Sequence, residues 1–118
     1  AAWLTLKAPA DGFASHEFEY PLPLDDAEAL WELAPHRLTK IRYGLDLPGG
    51  DWVVDCFTGE NAPLVLAEVE LPSMQTAVVI PDWCGQEITG DKRWSNAALA
   101  LQPMKLWPKT LKASFDLL

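Results

Sequence analysis

Short runs of alternating polar and apolar residues recur along this chain, and their charges keep to one parity: Glu17 and Glu19 in EFEY, Lys40 and Arg42 in KIRY, Glu68 and Glu70 in LAEVEL. Successive strand side chains point to opposite faces. Each charged pair therefore shares a face, while Phe18 and Tyr20, Ile41 and Tyr43, and Val65, Ala67, Val69 and Leu71 make an apolar one. The alternation predicts five antiparallel strands over residues 2–7, 13–20, 38–45, 52–57 and 64–71, separated by clusters of Pro, Gly, Asp and Asn. Pro48, Gly49 and Gly50 mark a hairpin between Tyr43 and Trp52, and GENAP at 59–63 suggests a second.

A different period appears at 25–34, where Ala27, Leu30, Trp31 and Ala34 form one helical stripe. Asp25 is the expected N-cap, with Glu28 three residues on as in a capping box, and the stripe is expected to pack on the apolar sheet face. Ser95 can cap a shorter helix through Ala97, Ala98, Leu99, Ala100 and Leu101, which Pro103 stops. Pro103 and Pro108 interrupt the pattern beyond it, and Leu111, Phe115 and Leu118 suggest a short last helix. With no internal repeat and no linker, residues 1–118 read as one small α+β domain.

A content of 49% hydrophobic and 22% charged residues excludes a disordered chain. The net charge of −8 and pI near 4.5 argue against a nucleic-acid partner, which needs a clustered basic excess. An acidic chain can still take a small anion, through a local basic cluster or through cations held by its carboxylates. Cys56 and Cys84 are too few for a disulfide framework and lack metal-ligand spacing, so they are expected as buried free thiols in a reducing compartment. No basic-then-apolar leader opens the sequence and no stretch approaches about 20 apolar residues. The expectation is a cytoplasmic protein with no membrane partner.

Every strand contributes to the charged parity: Thr5 and Lys7, Glu17 and Glu19, Lys40 and Arg42, Asp51 and Asp55, Glu68 and Glu70. Such crowding costs energy, since two carboxylates about 7 Å apart repel by about 2 kcal/mol at an effective dielectric near 20. A solvated outer sheet face explains the pattern. So does a barrel whose charged side faces inward as a polar tunnel, holding an anion together with divalent cations. Oxygen ligands on rigid strands suit Mg2+ or Mn2+ rather than zinc, and Lys and Arg on a facing strand suit phosphate oxygens. His16 and His36 are expected in surface or turn positions, and Trp31 and Trp52 as packing residues. No Gly-rich phosphate loop, zinc spacing or nucleophile elbow is present.

The blocks AWLTLKAPADG, EFEY, DDAEALWEL, KIRY, WVVDCFTGENAPLVLAEVELP and PDWCGQEITGDKRWSNAALA, in that order, resemble the CYTH or triphosphate tunnel metalloenzyme superfamily. It includes class IV adenylyl cyclases, thiamine triphosphatases and inorganic triphosphatases. The resemblance runs from about Trp3 to Ala100 and is nearest to compact bacterial members like the inorganic triphosphatases. It implies an antiparallel β-barrel around a tunnel, in which basic residues hold a triphosphate and acidic residues hold Mg2+ or Mn2+. Carried over, Lys7, Lys40 and Arg42 match phosphate-contacting positions. Glu68 and Glu70 match the metal-binding acidic pair, with Glu17, Glu19 and Asp55 as further acidic lining. Lys40 is the candidate for polarising an attacking water.

The chain departs from that pattern in three ways. It begins after the family's E-x-E-x-K strand and the arginine-bearing strand that follows, which implies a domain truncated at its N-terminus and an incomplete barrel. Ser15 stands at a usual arginine position, and Val53 at a usual glutamate. An open barrel also presents the edge of its first strand, which a second copy of the chain would cover as a homodimer. Two functions from different classes follow: metal-dependent hydrolysis of a triphosphate, with adenylyl cyclase-like chemistry as a variant, or a non-catalytic domain that binds polyphosphate or nucleotide or serves interaction.

Overall fold

In the computed structural model, residues 1–9, 15–73 and 75–115 are described. They divide between two units, Ala1–Arg37 and Leu38–Leu118. Two antiparallel sheets of two and three strands, together with three α-helices among the described residues, give an α+β fold. Neither sheet closes into a barrel. No helix among the described residues is long and apolar enough to cross a membrane.

The first unit is a hairpin and a helix. Strands β1 (Ala2–Pro9) and β2 (Ser15–Leu22) pair so that Thr5 faces Glu19 and Lys7 faces Glu17. Residues directly opposite share a face, so Lys7, Glu17 and Glu19 project from one side of this ladder. Phe13 and Ala14 of the predicted strand lie outside the described residues, and the strand runs past Tyr20 to Leu22. Helix α1 (Leu24–Leu33) follows directly. Its N-cap is Pro23 rather than the expected Asp25, with no side-chain cap bond. Proline's fixed φ and missing N–H suit a helix start, and Asp25 and Asp26 then lie in the first turn, where the helix dipole favours negative charge. The expected burial of the stripe is not found: no residue of α1 is buried, and Leu30 and Trp31 are both exposed. Arg37 covers part of Trp31, its guanidinium 4.8 Å from the ring centroid and donating to the Trp31 carbonyl at 3.2 Å.

The second unit carries β3 (Thr39–Leu45), β4 (Asp51–Thr58) and β5 (Val65–Glu70) as a meander with β4 in the middle. Both predicted hairpins are present. The first turn needs its glycine: Gly49 has φ +102°, and a Cβ there would fall 2.8 Å from Val78 Cγ2. The register sets Arg42 opposite Asp55, Lys40 opposite Phe57, Val53 opposite Glu68 and Asp51 opposite Glu70. All the charges of this sheet therefore stand on one face, as the parity predicts.

The core lies elsewhere than expected. Phe57, Leu64, Trp94, Leu99, Met104 and Trp107 form it, with Leu38 and Leu66 packed against them. Phe57 has the parity of Asp55 and Leu66 stands directly opposite Asp55, so the apolar cluster sits at one end of the charged face rather than behind it. On the opposite face Trp52 is buried, its ring meeting Trp83 edge-on at 6.5 Å, whereas Ile41, Tyr43 and Val65 are more than half exposed. Helix α2 (Asn96–Leu101) is capped by Ser95, whose hydroxyl accepts from the Ala98 N–H, and α3 (Lys109–Ser114) follows Pro108. The predicted Leu118 contact lies outside the described residues. Trp94 is the hub of the cluster, with edge contacts at 4.9 Å to both Trp107 and Phe115.

Candidate functional site

A buried carboxylate organises the charged face. Asp55 sits midway along the central strand β4, and its side chain is only 1% exposed. β3 lies beside it, so Arg42 stands directly across and Lys40 on the adjacent diagonal. Arg42 donates from Nε to Oδ1 at 2.7 Å and from Nη2 to Oδ2 at 2.9 Å, while Lys40 Nζ donates to Oδ2 at 2.7 Å. Lys40 Nζ also donates to Oδ1 of Asn96, the first residue of α2, at 3.1 Å and lies 5.5 Å from the Phe57 ring centroid. The two cations keep an opening to solvent, with side-chain exposures of 18% for Lys40 and 44% for Arg42.

The electrostatics follow from this geometry. Two like charges about 7 Å apart on one strand face repel by about 2 kcal/mol at an effective dielectric near 20, and Asp55 offsets that repulsion. The Arg42 guanidinium, helped by Lys40 and opposed by burial, holds the Asp55 carboxyl below the usual carboxylate range. Two cations share one carboxylate on this part of an otherwise acidic face. Such a local cation pair is suited to oxygen-rich anions, with the guanidinium fork and the compact ammonium supplying different donor geometries.

The acidic partners occupy the other outer strand. Glu68 and Glu70 are both exposed on β5 and share the face of Arg42 and Lys40, with Asp51 opposite Glu70. Two inter-strand spacings, about 10 Å, separate β3 from β5. Gly44, on the same face next to Arg42, has nothing within 4 Å of a notional Cβ. The surface over Gly44 is therefore open. Among the described residues no group of three or more His, Cys, Asp or Glu side chains is arranged to hold a metal. A pair of carboxylates nonetheless fits a hard cation such as Mg2+, which commonly keeps several waters and takes one or two carboxylates plus substrate phosphates.

Of the sequence candidates, the sheet brings Lys40, Arg42 and Asp55 into direct contact and sets Glu68 and Glu70 on the same face. Lys7, Glu17 and Glu19 share a face of the first unit's hairpin and are exposed there. His16 and His36 are exposed, in line with their expected surface positions. Cys56 and Cys84 are free thiols, half-buried rather than buried. Sequence reasoning missed Asn96. Its only signal is its place beside the Ser95 cap, which turns the start of α2 towards Lys40.

No family model matches the chain, and no solved structure matches it. Two curated proteins do. An inorganic triphosphatase of Acetivibrio thermocellus is 39% identical over 105 residues, covering 87% of this chain and 67% of that protein. An inorganic triphosphatase of Nitrosomonas europaea is 39% identical over 103 residues, covering 84% of this chain and 68% of that protein.

Proposed function

This chain belongs to the inorganic triphosphatase family, and on that premise we propose that it binds a triphosphate on the charged face of β3–β5 and hydrolyses it with a divalent cation. The observation that carries this reading is the Lys40–Asp55–Arg42 cluster, two cations fixed side by side on one carboxylate. Inorganic tripolyphosphate is the proposed substrate, as in the names of both relatives, with thiamine triphosphate and nucleotide cyclisation after it.

Arg42 and Lys40 would take phosphate oxygens and spread the charge that builds up as the leaving phosphate departs. Lys40 donates two of its three ammonium hydrogens to Asp55 and Asn96, which leaves one for a phosphate oxygen or for orienting water. An ammonium cannot take the water's proton. In the overall reaction water adds to the terminal phosphorus and the bridging P–O bond breaks. Orthophosphate and pyrophosphate leave, sharing the water's hydrogens. Glu68 and Glu70 would hold Mg2+ or Mn2+, which when bound supplies charge neutralisation on the phosphates.

Phosphate release from tripolyphosphate in the presence of Mn2+ tests the reading. Release above that of a Glu70→Ala control supports it. Binding without release would instead support a non-catalytic polyphosphate-binding domain.

A further inference from the structure

We propose that Asp55 is a positioning residue that sets Lys40 and Arg42 for an anionic ligand, and that Asn96 completes the setting of Lys40. The inference rests on the triphosphate reading above and gives Asp55 a role other than metal ligation. Three of the roughly four lone-pair sites of a carboxylate are taken by Arg42 Nε, Arg42 Nη2 and Lys40 Nζ, at 2.7, 2.9 and 2.7 Å. A metal ion approaching Asp55 would have to enter a side chain that is 1% exposed, past two cations. Coulomb repulsion opposes that approach. The exposed Glu68 and Glu70 carry no such barrier.

The arrangement also explains why an acid belongs in an anion-binding cluster. The single carboxylate is shared between the two cations, and both side chains lose rotational freedom before the ligand arrives. Preorganisation of this kind lowers the ordering cost of binding. Asn96 supplies a neutral acceptor, which holds the ammonium without reducing its charge.

The test measures tripolyphosphate affinity calorimetrically in chelator, metal-dependent phosphate release, and the 15N signal of the Arg42 Nε–H. In the wild type this N–H is expected to be protected by its bond to Asp55. Asp55→Asn keeps the shape but turns one acceptor into a donor facing Lys40. It is expected to reduce the protection of the Arg42 signal, because the uncharged side chain accepts from Arg42 more weakly and at no more than one of the two points, and to weaken metal-free tripolyphosphate binding by about ten- to a hundred-fold, with the Mn2+ concentration for half-maximal release unchanged. Asn96→Ala, a surface change that leaves no buried charge, is expected to weaken binding by about two- to five-fold, which keeps the test open should Asp55→Asn fail to fold. A raised Mn2+ requirement with unchanged metal-free affinity in Asp55→Asn would make Asp55 a metal ligand and overturn the proposal. Wild-type protein with a protected Arg42 signal but no affinity for tripolyphosphate would overturn the functional reading, and with it the ligand assigned to this cluster, while leaving the pairing itself intact.

Discussion

Arg42 and Asp55 face one another across the β3–β4 ladder, and two guanidinium nitrogens reach the two oxygens of one buried carboxylate. This two-point contact needs the planar fork of arginine, and a lysine in its place would offer a single point charge. Arg42→Lys is therefore expected to cost about 1 kcal/mol in urea unfolding. Arg42→Met, which leaves Asp55 with one cation, is expected to cost about 3 kcal/mol. Equal losses for the two variants would show that charge alone, not the fork, holds Asp55.

The same pair gives stability a defined pH dependence. Asp55 has a folded pKa below the ordinary carboxylate value of about 3.9, so its contribution is fully present above about pH 4. As the pH falls the unfolded chain takes up its proton first, and the contribution is lost as the pH drops through the folded value. Asp91, held down to about 2 by Arg93, behaves alike over the window from about pH 4 to about 2. Urea unfolding of wild type and Asp55→Asn at about pH 7, 4 and 3 should give a shallower acid decline in the variant. Parallel declines would remove Asp55 as a source of the effect.

Asn61 in the GENAP turn ties the hairpin to the C-terminal segment. Its Nδ2 donates to the Leu99 carbonyl at 3.3 Å and its Oδ1 accepts from the Met104 N–H at 2.9 Å. Asn61→Ala would leave both buried backbone groups without these partners and is expected to cost about 2–4 kcal/mol. Leu99→Ala, at the fully buried centre of the core, is expected to cost about 3 kcal/mol. Thermal and urea unfolding measure both. If either variant lost metal-free tripolyphosphate binding while keeping wild-type stability, the purely structural role given to that residue would fail.

The five strands, both hairpins and the α2 cap were legible because each rests on local chemistry: period-two alternation, Gly49 at a positive φ, and Ser95 bonding to Ala98. The common face of Lys40, Arg42, Asp55, Glu68 and Glu70 was legible for the same reason, since parity survives any register shift of two. The contact of Asp55 with Arg42 was not, because it depends on which residues stand opposite, and residue 55 could equally have faced residue 40 or 44. The location of the core was hidden differently. Phe57 and Leu66 share parity with the charges, so a rule that assigns each face one character put the apolar cluster on the wrong side. α1 shows the limit of local signals: an acid followed by a glutamate three residues on resembled a capping box, yet the preceding proline took the cap.

Opposite effects on two measurements would locate the cation site. Glu68 and Glu70 add two negative charges to the face that Lys40 and Arg42 make attractive to anions. Without metal, they repel a triphosphate. Neutralising them by Glu68→Gln and Glu70→Gln should therefore raise metal-free tripolyphosphate affinity by about two- to ten-fold at low salt, and the gain should shrink as salt screens the charges. With metal, the same carboxylates would hold the cation that carries charge between protein and phosphate. The double variant should then lose phosphate release and require about ten-fold or more additional Mn2+ to recover any of it. A loss of affinity both with and without metal would mean that Glu68 and Glu70 support the strand rather than the ion, and would move the proposed cation away from β5.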